Sequence, residues 1–232
     1  MPELDTSPDW GKTRRMKRRL ADTYDKKVFR KKRKNEQSYF QGRPIIARDT
    51  PINGGVYLGE GAREAIVVDE SKDPSIQRVF QELIRCMGSS DPKTFLLSAA
   101  WKLVLELMPY DSANVNRIVK TLLPDQKIYL SAFIGGGVCR HQALLIGYLL
   151  EKCISQGFLN GKVSIDRNSV SNIGGHAWVR YVSSAGEVFI LDPAQRFIGP
   201  LEEKRDGLWS YRRPSEGRGM FNKLRSILSG SF

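Results

Sequence analysis

Three residues in the second half of the chain have the side chains of a thiol enzyme, in the order cysteine, histidine and aspartate. Cys139 follows three glycines and opens the apolar residues 143–150. His176 follows two glycines, and Asp192 ends an apolar run just before Pro193. In such a triad the thiolate attacks, the imidazole moves the proton, and the carboxylate fixes the imidazole tautomer. The chemistry is acyl transfer from an amide, with release of an amine.

Cys139 stands where a helix is predicted to begin. Unpaired backbone N–H groups and the positive end of the helix dipole stabilise a thiolate there. The preceding glycines let the chain turn sharply and let a substrate approach the sulfur. We expect the N–H of Cys139 to donate to the oxyanion, and Gly137 and Val138 to contact the substrate. Three side chains stay open as the second donor: Asn116, Gln126 and Gln142.

The segments that carry His176 and Asp192 are typical of two strands of a β-hairpin. A three-residue loop, residues 184–186 or 183–185, places the two side chains on one face of the sheet, whereas a four-residue loop without a bulge separates them. Gly186 favours the first loop, because this type of loop ends in a left-handed residue. The sequence thus predicts that His176 and Asp192 meet.

His141 and Cys153 share the predicted helix with the nucleophile. His141 lies two positions after Cys139, so the two side chains diverge by about 200° on a helix. We therefore expect His141 to make a structural hydrogen bond or, with Arg140, to give weak electrostatic support. Cys153 falls at the far end of the helix, too distant to act as a resolving thiol.

Three short motifs follow one another in a recognisable order. They are G-x-C-x-x-x-A at residues 137–143, H-A-W at 176–178 and D-P at 192–193. Together they resemble the transglutaminase-like superfamily, which includes peptide N-glycanases and many bacterial proteins predicted to be cysteine peptidases. The resemblance covers roughly residues 130–200, and the upstream helices match only in general character.

The resemblance implies a papain-like α+β fold in which the cysteine lies on a helix packed against an antiparallel sheet. The family's nucleophile, base and orienting acid carry over onto Cys139, His176 and Asp192. Trp178 matches the aromatic residue that follows the histidine in many members, and we expect it to contact the substrate. The sequence lacks the zinc-binding cysteine pair of N-glycanases and the calcium loop of animal transglutaminases, so the reaction subtype stays open.

These residues favour a cysteine peptidase or a Gln/Asn deamidase that acts on a protein or peptide through a thioester. If a lysine amine resolves the thioester instead of water, the enzyme is a protein-glutamine transglutaminase. We expect no cofactor and no metal. A zinc site of Cys139, His141, His176 and Asp192 is disfavoured, because C-x-H spacing is unusual for zinc and the chain has no C-x-x-C pair.

The N-terminal region carries almost the whole net charge of +12, since residues 12–34 hold thirteen Lys and Arg against two Asp. We interpret residues 1–42 as a mobile basic arm. It either docks on nucleic acid or an anionic membrane surface, or is a solvated tail. A noncatalytic module that binds through this arm is the alternative from another class of function.

The remaining features describe a scaffold. One helix is expected from its first-turn Pro74 through Met87, and a second, introduced by Pro92, over residues 93–108. A third is expected to be capped by Asp111 or Ser112 and to end before Pro124. The glycine-rich residues 54–61 are expected to form turns and a bulge. A catalytic domain is expected over residues 43–200, followed by an extension at 201–232 that packs on it or is mobile.

Composition narrows the class of protein and its location. The apolar runs are too short to span a bilayer, and the N-terminus does not resemble a secretory signal peptide. Three cysteines are too few for a disulfide framework. We expect a cytoplasmic protein, with export by another route still open, and the sequence leaves its oligomeric state undetermined.

Overall fold

The computed structural model describes residues 37–59, 64–85, 92–123, 126–170, 174–203, 209–213 and 216. The elements in chain order are β1 (Tyr39–Phe40), β2 (Arg43–Pro44), β3 (Gly55–Leu58), β4 (Ala65–Val68), α1 (Pro74–Arg85), α2 (Pro92–Leu107), α3 (Ser112–Thr121), β5 (Lys127–Tyr129), α4 (Cys139–Ser155), β6 (Gly161–Val170), β7 (Gly174–Ser183), β8 (Val188–Asp192) and β9 (Phe197–Pro200).

The helices begin where the sequence predicts. Pro74 and Pro92 occupy the first positions of α1 and α2, where the missing N–H of proline removes no hydrogen bond. Asp111 caps α3, because its side chain accepts a hydrogen bond from the backbone N–H of Asn114 at 2.9 Å. The helix α4 is the centre of the core. Residues 141–150 are all buried, and the helix packs against β6, β7 and α2.

The described strands form two larger sheets, and the four-stranded one packs against α4. Strands β6, β7, β8 and β9 form an antiparallel sheet in that order. Strands β3, β4 and β5 form a second sheet, in which β3 and β4 are antiparallel while β4 and β5 are parallel. The predicted α+β architecture of helices with antiparallel sheets, and the cysteine at a helix N-terminus, is confirmed. The parallel pairing of β5 was not predicted.

The glycine-rich segment differs in part from its expectation. Gly54 does form a turn, with φ +81°. The next four residues, however, are the strand β3 rather than turns and a bulge. Gly55 lies so close to Ile46 that a Cβ atom at this position would be 2.6 Å from Cγ1 of Ile46. Glycine is therefore needed here for close packing of the chain, not for a turn.

Described residues from the predicted arm and from the C-terminal extension are part of the folded domain. Residues 37–42, which the sequence assigns to the arm, include β1, and β1 pairs with β2 and buries Phe40. At the other end Leu201, Trp209 and Tyr211 are buried. Residues 1–36, which hold the basic cluster, and Cys86 lie outside the described residues. Among the helices that the structure describes, none is both long and apolar enough to span a membrane.

Candidate active site

The loop that leads into Cys139 is held between the end of α2 and the start of α3. The N–H of Gly135 donates to the carbonyl of Leu107 at 2.7 Å, and the side-chain amide of Asn114 donates to the carbonyl of Gly136 at 2.7 Å. Gly135 has a φ of +95°. These bonds fix where the chain enters α4, and so they fix the position of Cys139.

Gly137 and Val138, which we expected to contact the substrate, are both buried. A Cβ atom on Gly137 would be 2.7 Å from Cγ and Sδ of Met108. The glycine is therefore required by the packing of this loop on α2. Substrate contact by either residue stays a prediction.

His141 caps the helix that begins at Cys139. The residue before the helix is Val138, whose side chain has no hydrogen-bonding atom, and Nδ1 of His141 accepts a hydrogen bond from the Val138 N–H at 3.1 Å. The ring stacks on Phe133 with centroids 3.8 Å apart. Burial lowers the pKa of the imidazole. The expected structural hydrogen bond of His141 is confirmed.

Glu64 lies behind His141 and Arg140. Its Oε2 accepts from Nε of Arg140 at 2.5 Å, and its Oε1 is 3.4 Å from Nε2 of His141. Burial raises the pKa of Glu64, but the interactions with His141 and Arg140 outweigh burial and bring that pKa to about 2. The carboxylate is therefore charged, and it ties the segment before β4 to the start of α4.

The hairpin that carries His176 has the first of the two predicted loops. The N–H of Ser183 donates to the carbonyl of Glu187 at 2.9 Å, which leaves a three-residue loop that ends at Gly186. Gly186 has the left-handed φ of +83°. With this register His176 and Asp192 share a face, and Nε2 of His176 lies 2.5 Å from Oδ2 of Asp192.

Asp192 is fully buried and receives two further donors. The hydroxyl of Tyr211 donates to Oδ2 at 2.7 Å, and the N–H of Gln195 donates to Oδ1 at 3.1 Å. A buried carboxylate needs such partners to stay ionised. Both of its oxygens are occupied, so the carboxylate is fixed in the plane that faces His176.

Aromatic rings surround His176, which is 5% exposed. Trp209 stacks on its imidazole with centroids 4.9 Å apart, and Trp178 lies 5.8 Å from it. Burial lowers the pKa of His176, but Asp192 and then Cys139 raise it, and the result is a pKa of about 9. Because Nε2 is bound to Asp192, Nδ1 is the ring nitrogen left for the thiol. The imidazole is thus protonated at neutral pH.

Cys139 retains limited access to solvent, at 9% exposure. Its sulfur interacts electrostatically with Tyr57, with Tyr110 and with Arg140, as well as with His176. Cys153 is fully buried at the other end of α4, and burial raises the pKa of its thiol to about 12. The two described cysteines therefore lie in different surroundings.

Of the three candidates for the second oxyanion donor, one is buried and two are exposed. The side-chain amide of Gln142 is buried and donates to the carbonyl of Met108 at 2.8 Å. Gln126 is exposed, and its Oε1 accepts from the N–H of Leu123. Asn116 is exposed on α3. The donor of Gln142 is thus already engaged, and this role stays unassigned among the three.

Trp178, which we expected to contact the substrate, is 2% exposed and packs edge-on against Tyr211, and that contact stays a prediction. Sequence reasoning missed three other aromatic residues near the predicted triad: Trp209, Tyr211 and Tyr57. Trp209 and Tyr211 come from the C-terminal extension, for which the sequence offered only its aromatic residues as a signal. Tyr57 comes from β3, a strand that was not predicted because its sequence lies in the glycine-rich segment.

Within the described residues, no three His, Cys, Asp or Glu side chains are grouped so that they could hold a metal ion. His141 and His176 make separate contacts, one with Glu64 and the other with Asp192.

Comparison of the chain with protein-family models, with curated proteins and with solved structures found no match.

Proposed function

We propose that this protein is a thiol-dependent amide hydrolase or acyl transferase that acts through Cys139, His176 and Asp192. The observation that carries the proposal is the buried His176–Asp192 pair next to a cysteine at a helix N-terminus. The finer assignment, a papain-like fold of transglutaminase-like type, is part of the same proposal. It is supported by the order of the three motifs and by the packing of α4 against β6 and β7.

In the proposed reaction the thiolate of Cys139, whose proton His176 holds as the imidazolium, attacks the carbonyl carbon of an amide, and a C–S bond forms. The carbonyl electron pair moves onto oxygen, and the N–H of Cys139 donates to that oxyanion. That electron pair then re-forms the carbonyl, and the C–N bond breaks as the imidazolium of His176 gives its proton to the departing amine. The products of this half-reaction are a thioester, a free amine and a neutral imidazole.

Resolution of the thioester regenerates the enzyme. A water molecule gives a proton to His176 and attacks the thioester carbon, the C–S bond breaks, and a carboxylic acid leaves. If a primary amine attacks in place of water, the product is a new amide. Asp192 keeps His176 in one orientation through both halves, because its two oxygens are held by Tyr211 and Gln195.

The nucleophile is tested by alkylation with iodoacetamide at neutral pH, followed by peptide mapping. We expect Cys139 to react and Cys153 to stay unmodified, because Cys153 is fully buried with a raised pKa. Cys139→Ala should remove both the label and the activity, and Cys153→Ala serves as the matched control that retains both. Equal labelling of all cysteines in the folded protein argues against an activated nucleophile.

The acceptor is tested by intact-mass measurement and peptide mapping of an unfolded protein rich in glutamine and asparagine, incubated with and without a small primary amine. Chain cleavage identifies a peptidase. The small mass gain of an amide that becomes an acid identifies a deamidase. An amine adduct or a cross-link identifies a transglutaminase. Every change must be absent with Cys139→Ala.

A further inference from the structure

The described residues beyond position 208, in the C-terminal extension, cover the His176–Asp192 pair. We refer to these residues, 209–213 and 216, as the C-terminal strap. Trp209 stacks on the imidazole of His176, and the hydroxyl of Tyr211 donates to Asp192. The strap therefore touches both members of the pair, although it lies outside the region that carries the three sequence motifs.

Arg213 attaches the strap to the sheet. Its Nε and one terminal nitrogen donate to the two oxygens of Asp166 at 2.8 and 2.7 Å, and that terminal nitrogen also donates to Ser164 at 2.8 Å. The other terminal nitrogen lies 3.1 Å from Asp49. Asp166 is 1% exposed. A two-pronged bond from Arg213 thus partners a carboxylate that is buried in the sheet face.

Glu216 makes the complementary attachment. It pairs with Arg180, which is 2% exposed, and it also accepts from the N–H of Arg213 at 2.8 Å. Arg180 donates in addition to the carbonyl of Tyr211 at 3.3 Å. A buried charge without a partner is strongly destabilising. The sheet face therefore specifies this docked position of the strap.

We propose that the strap is part of the active site, with Tyr211 as a positioning residue that holds the Asp192 carboxylate against His176 and with Trp209 as the cover of the imidazole. This role rests on the proposed function, since it is the thiol chemistry that requires an oriented imidazole. Apolar packing with Trp178 and Ile190 accounts for the ring of Tyr211. It does not account for a hydroxyl that donates to the same oxygen as His176.

Two titratable side chains contact His176 from the elements packed around it. Cys139 faces it from α4 and Asp192 from β8, while the strap presents Trp209 and the hydroxyl of Tyr211. The other charged groups described on this face pair with one another: Arg180 with Glu216, Arg213 with Asp166 and Asp49, and Arg48 with Asp166. Burial and Asp192 raise the pKa of Tyr211, so its hydroxyl keeps its proton and acts as a donor.

Removal of the Tyr211 hydroxyl has a definite electrostatic consequence. In the wild type, Oδ2 of Asp192 accepts hydrogen bonds from both His176 and Tyr211. Without the Tyr211 hydroxyl, this oxygen becomes a stronger acceptor for the imidazolium of His176. Hydrogen bonding to a charged form favours that form. The pKa of His176 should therefore rise further in Tyr211→Phe, although the variant retains the packed ring.

The experiment is an NMR titration of the imidazole groups in the full chain, which contains two histidines. In Tyr211→Phe we expect the midpoint of His176 to move upward by about 0.3–1 pH unit while His141 stays in place. Tyr181→Phe is the matched control, because Tyr181 is also buried and its hydroxyl donates to the carbonyl of Asn160 instead. An unchanged His176 midpoint, or an equal movement in the control, overturns the proposal.

A second variant tests the cover. Trp209→Leu keeps an apolar side chain but removes the stacked ring, so water reaches the imidazole. The N–H proton of His176 that is bound to Asp192 should then exchange with solvent faster than in the wild type, which NMR line broadening measures. If the exchange rate is unchanged while the variant remains folded by circular dichroism, Trp209 is not a cover. Neither NMR experiment requires a substrate, so both results are independent of the Cys139→Ala activity test.

Discussion

Two buried histidines lie on either side of Cys139, each beside a carboxylate, and they behave in opposite ways. His141 is fully buried, and its Nε2 is 3.4 Å from Glu64. His176 is 5% exposed, and its Nε2 is 2.5 Å from Asp192. The pKa of His141 is lowered, first of all by burial, whereas the pKa of His176 is raised to about 9.

The deeper burial of His141 is the first cause of the difference, and the other partners of the two carboxylates add to it. Glu64 also pairs with Arg140, whose positive charge opposes a second positive charge on His141. Asp192 accepts from the neutral donors Tyr211 and Gln195, so its charge acts on His176. The histidine with the raised pKa is thus the one whose carboxylate accepts from neutral donors.

The largest contrast is expected from replacing each histidine with asparagine. His176→Asn removes the proton carrier and should lower turnover by about 10³-fold or more. His141→Asn removes a helix cap and a stacked ring, so it should lower the free energy of unfolding by roughly 1–3 kcal/mol. Turnover per folded molecule and urea unfolding are measured for both variants.

Cys139 alkylation provides the control for this pair of variants, since it requires no substrate. It should slow in His176→Asn and stay near the wild-type rate in folded His141→Asn. Equal turnover losses in the two variants would contradict the division of roles.

Replacing the carboxylates should give the next largest contrast. Asp192→Asn retains the shape but loses the charge, so the imidazolium is destabilised and turnover should fall by about 10²–10⁴-fold. Glu64→Gln leaves His176 and Asp192 in place, so turnover per folded molecule should change by less than about tenfold, while stability falls because Arg140 loses its partner.

The titration midpoint of His176, measured by NMR, distinguishes the effects of the two carboxylate variants. The His176 midpoint should drop in Asp192→Asn and stay unchanged in Glu64→Gln. A drop in both would mean that Glu64 acts on the catalytic pair as well.

The parts of the site that the sequence predicted are the ones set by local rules. A cap at Asp111, glycines before Cys139 and a left-handed Gly186 each fix the chain within a few residues. The meeting of His176 and Asp192 follows from such a rule, because strand alternation and loop length determine which side chains share a face. The roles of these residues in catalysis are predictions that the experiments above address.

The parts that were missed depend on contacts between distant segments. Tyr211 reaches Asp192 from nineteen residues away, and Glu64 reaches Arg140 across seventy-six. Nothing in the sequence around Arg213 indicates that it will pair with Asp166, because Asp166 lies far away in the chain, on β6. Similarly, β3 was concealed because Gly55 is needed for the approach of Ile46, and glycine normally indicates a turn.

The two pairs should also stabilise the fold at opposite ends of the pH scale. His176 has a raised pKa, so its contribution is complete below about pH 6.5 and is lost as the pH rises through about 9. Glu64 has a lowered pKa, so its contribution is complete above the usual value of 4.5 and is lost as the pH falls toward 2. The lowered pKa of His141 adds to the loss on the acid side.

Urea unfolding across the pH range measures these contributions, which should each be about 1–3 kcal/mol. His176→Gln should flatten the alkaline side of the stability curve, and Glu64→Gln should flatten the acid side. If each variant instead lowers the whole curve evenly, the pairs are not the source of the pH dependence.

The smallest effect is expected from Gly186→Ala, which strains the loop that aligns one pair and leaves the other pair untouched. Gly186 has a φ of +83°, and a Cβ atom there would meet nothing within 4 Å, so the penalty is conformational rather than steric. A penalty of about 1 kcal/mol in the free energy of unfolding is expected. The register beyond the loop is held by β7 and β8, so the His176 midpoint and the turnover of folded protein should stay near wild type. A downward shift of the His176 midpoint with an unchanged His141 would instead show that the loop, and not the strand pairing, sets the distance between His176 and Asp192.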